Sequence, residues 1–331
     1  MKKRRIGILS CAHVHAQFYG RSLLQLADRA EVVGVYHEDE AEGMRFAAAF
    51  PDADYFADCG EFLDQELDGV IVCSANVDHR EHVTTAVQKV PFVLCEKPLA
   101  TTVEDARAII DAARENHARL MVSYPCRYAP AAVRARGRIQ NGDLGRIVGV
   151  CATNRGNMPG GWFVDLEQSG GGAIMDHTVH VADLWRWMMG TEIRTVYAEA
   201  TTALHPIPVE DCGLLSVTFD NGAIGTVDTS WCYPDVHPTW GDVSIEFAGD
   251  KGVLEMDLFT QNLRFVSTRA GRMLYDPYGD DVYLLLIQDF LSMIATDGES
   301  PITGEDGLRS LEVVLAAYRS VKTRRPVNLP L

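Results

Sequence analysis

No stretch of this sequence reaches the ~20 apolar residues of a membrane helix, so a helical membrane protein is excluded. Cysteine occurs eight times but never as C-x-x-C, which removes the usual signals of a zinc knuckle or a dithiol redox centre. Cys73 and Cys95 fall in apolar runs, where a thiol packs as a small hydrophobe, and a reduced, cytoplasmic setting is expected. Basic residues are in the minority: 30 Lys and Arg against 46 Asp and Glu leave a formal net charge of -16. A surface of that sign repels nucleic acid and anionic lipid, so neither is expected as a partner, whereas a small neutral solute is not disfavoured. The basic start Lys2 to Arg5 is followed by too short an apolar run for a secretion signal, and His13 and His15 come at once after it. There is no internal repeat and no low-complexity segment.

The chain has 331 residues, enough for two domains, and the pattern changes character part-way along. Continuous apolar runs at 5–10, 31–36, 69–74, 92–96 and 119–123 alternate with helical patterns at 17–29, 41–50, 79–90 and 103–116. Strands without polar alternation, separated by helices, predict a doubly wound parallel sheet whose ligands bind beyond the carboxyl ends of its strands. After a helix at 129–140, strands dominate: 146–154, 193–202, 212–219, 223–230, 243–247, 252–258 and 263–267. Asn221-Gly222 is a strong hairpin signal and Gly249-Asp-Lys-Gly252 a second turn, so this half predicts a mostly antiparallel sheet. Helices at 281–295 and 304–323 close the chain. The expected domains are 1–124 and 125–331.

Three stretches carry chemistry. Gly170-Gly171-Gly172 gives way to a helical pattern in which Asp176 and His180, four apart, share one face, with Asp183 near the same side. A carboxylate beside an imidazole raises its proton affinity, which is how a general base is built. Glu96-Lys97-Pro98 ends the fourth strand, where open sheets bind ligands. The first strand ends in Ser10-Cys11-Ala12-His13-Val14-His15, with Ser10, Ala12 and His15 where a dinucleotide fingerprint has glycines. The second strand ends in His37 instead of the ribose-binding acid, with Glu38 and Asp39 following as substitutes.

With Ser74-Ala75-Asn76-Val77-Asp78-His79 and Ser123-Tyr124-Pro125-Cys126-Arg127-Tyr128-Ala129-Pro130 added, these motifs run in an order that resembles the glucose-fructose oxidoreductase, inositol dehydrogenase and rhizopine catabolism protein (Gfo/Idh/MocA) family. The resemblance covers nearly the whole chain. It implies an α/β chain: an N-terminal Rossmann domain, and a C-terminal α+β domain whose open, mostly antiparallel sheet binds substrate and forms a homodimer or homotetramer. It implies an NAD- or NADP-dependent dehydrogenase or reductase acting on CH–OH groups of sugars, polyols and related compounds. Lys97, Asp176 and His180 fall on the family's catalytic positions, and the Lys97-Pro98 peptide is expected to be cis. Cofactor contacts fall on Ser10, Cys11, Ala12, His13, Val14 and His37, and on the nicotinamide side on Ser74, Ala75, Asn76, His79, Glu96, Lys97 and Arg127. Substrate contacts are expected from Lys97, Trp162, Asp176, His177 and His180. No metal is expected in this reading.

Two other readings compete. His13-x-His15 at a strand end, with Asp176, His177 and His180 as further ligands, resembles the metal site of a barrel amidohydrolase, since imidazole and carboxylate suit zinc. That fold needs eight strand–helix units, and the second half of the chain predicts antiparallel strands. The eroded glycines instead favour a sensor that keeps the fold and binds a sugar or cofactor without turnover.

Overall fold

The computed structural model describes residues 2–237 and 239–331. The chain divides into two compact units, 1–125 with 282–308, and 126–281 with 309–331. A single boundary at 124/125 makes no provision for the return of 282–308 to the first unit.

In the first unit, β1 (Arg4–Leu9), β2 (Ala30–Tyr36), β3 (Asp54–Phe56), β4 (Gly69–Val72), β5 (Phe92–Cys95) and β6 (Arg119–Val122) form one six-stranded sheet in the order β3-β2-β1-β4-β5-β6. Every pairing is parallel. All residues of β4 and β5 are buried, as expected of central strands covered on both faces. The crossover helices are α1 (His15–Gln25), α2 (Glu40–Ala47), α3 (Cys59–Leu63), α4 (His79–Ala86) and α5 (Val103–Glu115). In α5, Val103, Ala106, Ile109 and Ala113 make the buried stripe, and the Thr102 hydroxyl caps the helix by accepting from the Asp105 amide at 3.0 Å. The strand order reverses direction between β1 and β4, so the loops after β1, β2, β4 and β5 form the ligand-binding end of the sheet. This doubly wound sheet is the predicted one. The edge strand β3 and helix α3 carry too little periodicity to be read in advance.

In the second unit, α6 (Pro130–Gln140), β7 (Ile147–Thr153), α7 (Leu166–Ser169) and α8 (Ala173–Met189) precede β8 (Ile193–Thr201), β9 (Cys212–Phe219), β10 (Ile224–Asp228), β11 (Ser244–Gly249) and β12 (Val253–Asp257). A hairpin of β13 (Asn262–Ser267) and β14 (Arg272–Pro277) follows. Helix α9 (Val282–Thr296) packs in the first unit; α10 (Gly304–Thr323) and β15 (Val327–Asn328) complete the chain. The main sheet has seven strands in the order β12-β11-β7-β10-β9-β8-β15. The β7–β10 pairing is parallel and the others are antiparallel. Gly222 takes φ +84° in the predicted hairpin turn, with the Ala223 amide donating to Asn221 Oδ1 at 3.0 Å. Both main sheets are open, which corrects the barrel-hydrolase alternative: no closed ring of strand–helix units exists among the described residues.

Helix α8 is buried along most of its length, and the Trp185 ring meets Phe219 of the sheet edge-on at 5.7 Å. Its start is capped from a distance. Glu210 Oε1 accepts from the amides of Gly172 and Ile174 at 3.0 Å each and from the Tyr318 hydroxyl at 2.7 Å. A Cβ on Gly172 would lie 2.0 Å from the Glu210 carbonyl oxygen, so this position requires glycine. The glycine triplet thus brings α8 close to the 210 loop.

Candidate active site

In the first unit the expected cofactor residues gather at the carboxyl ends of the strands. Ser10 makes the sharp turn after β1 without glycine, at φ +64°. Its hydroxyl lies 3.2 Å from His37 Nδ1 and also accepts from the Ala12 amide at 3.4 Å. Helix α1 then starts at His15, with Val14 before it offering no side-chain cap.

At the end of β2 the sequence has a histidine where an acid is usual, and the structure supplies the carboxylate one residue later. Glu38 Oε2 lies 2.9 Å from His37 Nδ1, and Oε1 lies 3.4 Å from His82 Nε2. Hydrogen bonding to Cys11 and Glu38 raises the His37 pKa to about 10. Burial alone would raise the Glu38 pKa, but His37 and His82 hold it below its usual value. On the far side of the β1 loop, Arg21 and Arg45 line a cavity of about 480 Å³ with Cys11, Ala12, Val14 and Glu42. Neither arginine was identified in the sequence, since neither falls in a motif.

At the end of β4, His79 Nδ1 donates to the Pro98 carbonyl at 2.8 Å. Burial drives its pKa down to about 4, so the ring is neutral and Nε2 carries a lone pair. His79 Nε2 and Ser74 Oγ are buried with no hydrogen-bond partner among the described residues. Asn76 stands in the short turn before α4. At the end of β5 the Lys97-Pro98 peptide is cis, as the resemblance implied. Lys97 and Glu96 are both buried, and the Lys97 amide donates to Glu96 Oε2 at 3.0 Å. These features fit a dinucleotide: Ser74 Oγ and His79 Nε2, buried and unpartnered in the segment after β4, can take its polar groups.

In the second unit α8 carries Asp176, His177 and His180, each buried. Asp176 Oδ2 lies 3.1 Å from His177 Nε2, and Trp231 Nε1 donates to it at 3.4 Å. His180 Nδ1 lies 3.8 Å from the Cys126 thiol, a neighbour the sequence did not suggest. His177 is boxed by Trp240 and Trp231, whose rings stand edge-on at 5.0 and 6.3 Å. Trp231 is fully buried, packed with Ala173 and Val209, so it serves the core. Trp240 is partly exposed, and Trp162 lies flat on Phe163 at 4.0 Å. The aromatic loop is anchored by Asp242, which accepts from Arg155 Nε at 2.9 Å and from the Tyr233 hydroxyl at 2.9 Å. Arg127 is held by Asp183 through Nε at 2.7 Å and a second guanidinium nitrogen at 2.5 Å.

His13 and His15 gather with Glu96 in the first unit, while Asp176, His177 and His180 lie on α8 in the second.

Known proteins match this arrangement along most of the chain. Residues 4–124 match the oxidoreductase family with the NAD-binding Rossmann fold, and residues 132–255 match the GFO/IDH/MocA C-terminal domain. The 1,5-anhydro-D-fructose reductase of Ensifer adhaerens is 31% identical, over 80% of this chain and 81% of its own. The D-glucoside 3-dehydrogenase of Escherichia coli K12 is 27% identical, over 96% of this chain and 93% of its own. The crystal structure of GenD2 from gentamicin A biosynthesis, in complex with NAD, superposes with a TM-score of 0.91 at 25% identity, covering 100% of this chain and 97% of that one. This chain is therefore a member of the GFO/IDH/MocA family of NAD-binding oxidoreductases.

Proposed function

We propose that this protein is a dehydrogenase or reductase of sugars or polyols in which Lys97, Asp176 and His180 carry the proton chemistry. The observation that carries the reading is the buried Asp176–His177–His180 set on α8, within an NAD-binding oxidoreductase. The names of the anhydrofructose reductase and glucoside dehydrogenase relatives support the substrate class. NAD, when bound, accepts or returns a hydride. In the oxidative direction the hydroxyl on the reacting carbon must lose its proton, and His180 takes it as general base. The Cys126 thiol faces Nδ1 of that ring, and Asp176 adds negative charge on the same helix. The Lys97 ammonium stabilises the oxygen as it gains charge. Ser74, Asn76, His79 and Arg127 orient the cofactor, Trp162 and His177 the substrate. Reduction of NAD, followed by absorbance across a panel of aldoses, glycosides and inositols, tests the reading. Turnover with none of them, alongside intact NAD binding, would instead identify a sensor.

NAD is the proposed cofactor in preference to NADP, because Glu38, held by His37 and His82 after β2, supplies a carboxylate that would repel a 2′-phosphate. Wild-type protein is expected to use NAD, and Glu38→Gln to raise the NADP-to-NAD ratio of kcat/KM by roughly tenfold or more, since like charges in contact cost several kcal/mol. A wild-type preference for NADP would overturn this and point to Arg21 and Arg45 as the phosphate ligands.

We also propose that the open face of the seven-stranded sheet pairs with a second copy of the chain. Leu214, Ile224 and Val253 are each more than half exposed on it. Light scattering should find a dimer or tetramer that Leu214→Glu with Ile224→Glu dissociates; a monomeric wild type would refute the pairing.

A further inference from the structure

The His13-x-His15 pair has no part in the function just described. One ring nitrogen from each histidine and a Glu96 oxygen lie within 4.8 Å of one another, close enough to suggest a cation site. The hydrogen bonds argue for a different use. His13 Nδ1 accepts from the His15 amide at 3.1 Å, so the neutral ring carries its proton on Nε2. That nitrogen faces Glu96 Oε2 at 3.9 Å and presents a proton, not the lone pair a metal needs. His15 Nδ1 lies 3.1 Å from Glu96 Oε1, and its Nε2 lies 3.0 Å from the Tyr283 hydroxyl on α9. Both nitrogens of His15 are thus engaged, and His13 spends Nδ1 on the loop backbone.

Everything converges on one carboxylate that has no exposed surface. The Tyr19 hydroxyl of α1 donates to it, and also meets the Ser123 hydroxyl after β6. The Lys97 amide donates to its other oxygen. Burial alone would raise the Glu96 pKa, but the hydrogen bond from His15 and the charge of Lys97 hold it below the usual carboxylate range, so Glu96 is an anion. The cluster joins the β1 loop, the start of α1, the end of β5 and α9 within the first unit. The His13 amide adds a backbone bond to the Cys73 carbonyl at 2.9 Å. A glycine fingerprint shapes its loop by backbone freedom; here the shape is fixed by side chains.

We propose that the His15–Glu96 pair replaces the missing glycines: it holds the β1 loop in its cofactor-binding shape and locks that loop to the backbone of Lys97, which makes His15 a positioning residue for NAD. The inference rests on the NAD-dependent reading above. It is tested on the whole protein with His15→Ala and His15→Asn, the asparagine amide keeping a donor where Nδ1 stood. NAD affinity is measured by calorimetric titration, apart from turnover. His15→Ala should weaken NAD binding by roughly tenfold or more, because a charged hydrogen bond is lost and the loop is released. His15→Asn should recover most of that affinity, and neither variant should lower kcat at saturating NAD as much as KM for NAD rises.

If His15→Ala fails to fold, the asparagine variant and Tyr283→Phe, which keeps the ring and loses the hydroxyl, carry the test. NAD affinity like wild type in all soluble variants overturns the proposal. So does stoichiometric zinc in the purified wild type that is lost in His13→Ala, which would restore the cation site. A wild type that binds NAD but reduces it with no sugar or polyol defeats the proposed function alone, because the affinity comparison still decides this inference. A wild type that binds no NAD defeats both.

Discussion

Replacing Lys97 with Met, or His180 with Ala, lowers kcat by roughly two orders of magnitude or more, the usual contribution of a positioned proton donor or acceptor. Met keeps the length and apolar stem of the lysine and removes only the charge, which matters because Lys97 is buried and a shorter residue would leave a cavity. His180 touches the Cys126 thiol and sits on a helix held by burial along most of its length, so Ala removes the ring and leaves α8 in place. Circular dichroism and melting temperature should therefore stay close to wild type while turnover falls. KM for NAD should change little in His180→Ala. If both residues serve one step, the double variant will be about as slow as the worse single variant, because groups acting as a unit are not additive. Near-wild-type turnover in both single variants would end the assignment.

Asp176 lies four residues before His180 on α8, and its carboxylate lies 3.1 Å from the neighbouring His177 and takes a bond from Trp231. The immediate neighbour and a tryptophan 55 residues away are found only by folding the chain.

The same distinction separates what was legible in the sequence from what was not. The runs that became β4 and β5 are apolar throughout because both faces are covered, and that signal is local. The Asn221-Gly222 turn is equally local, because only residues tolerant of positive φ make it. Strand β15 has two residues and exists because β8 offers an edge to it; strand β14 exists through its partner β13. Neither has a pattern of its own. The sequence offers Glu38 as a substitute acid, but its clasp by His37 and His82 exists only in the packed sheet. The Tyr283 hydroxyl meets His15 across 268 residues of chain, and no periodicity carries that information. The position of Lys97 followed from one rule, that parallel sheets present their ligand residues at strand ends.

Breaking the Arg127–Asp183 pair is expected to destabilise the second unit by about 3–5 kcal/mol, the range for removing one partner of a buried ion pair. Both groups are buried, the contact is two-pronged, and the guanidinium also lies 5.7 Å from the Trp187 ring. Asp183→Asn removes the anion that faces the buried guanidinium; Arg127→Met removes the cation that faces the buried carboxylate. Calorimetry should show the transition of the second unit falling by roughly 10 °C in either variant, at about 2–4 °C per kcal/mol for a unit of this size. The double variant Arg127→Met with Asp183→Leu should recover much of the loss, because an apolar pair of similar volume carries no desolvation penalty. The asparagine variant also separates two roles for Arg127, since it removes the anion and leaves the cation in place. If Asp183→Asn loses stability but keeps its NAD affinity while Arg127→Met loses both, Arg127 touches the cofactor as well as the fold. If both variants keep NAD affinity and lose only stability, its place among the cofactor contacts falls. Single variants that melt within a degree or two of wild type would show that the pair contributes nothing net, whatever its geometry.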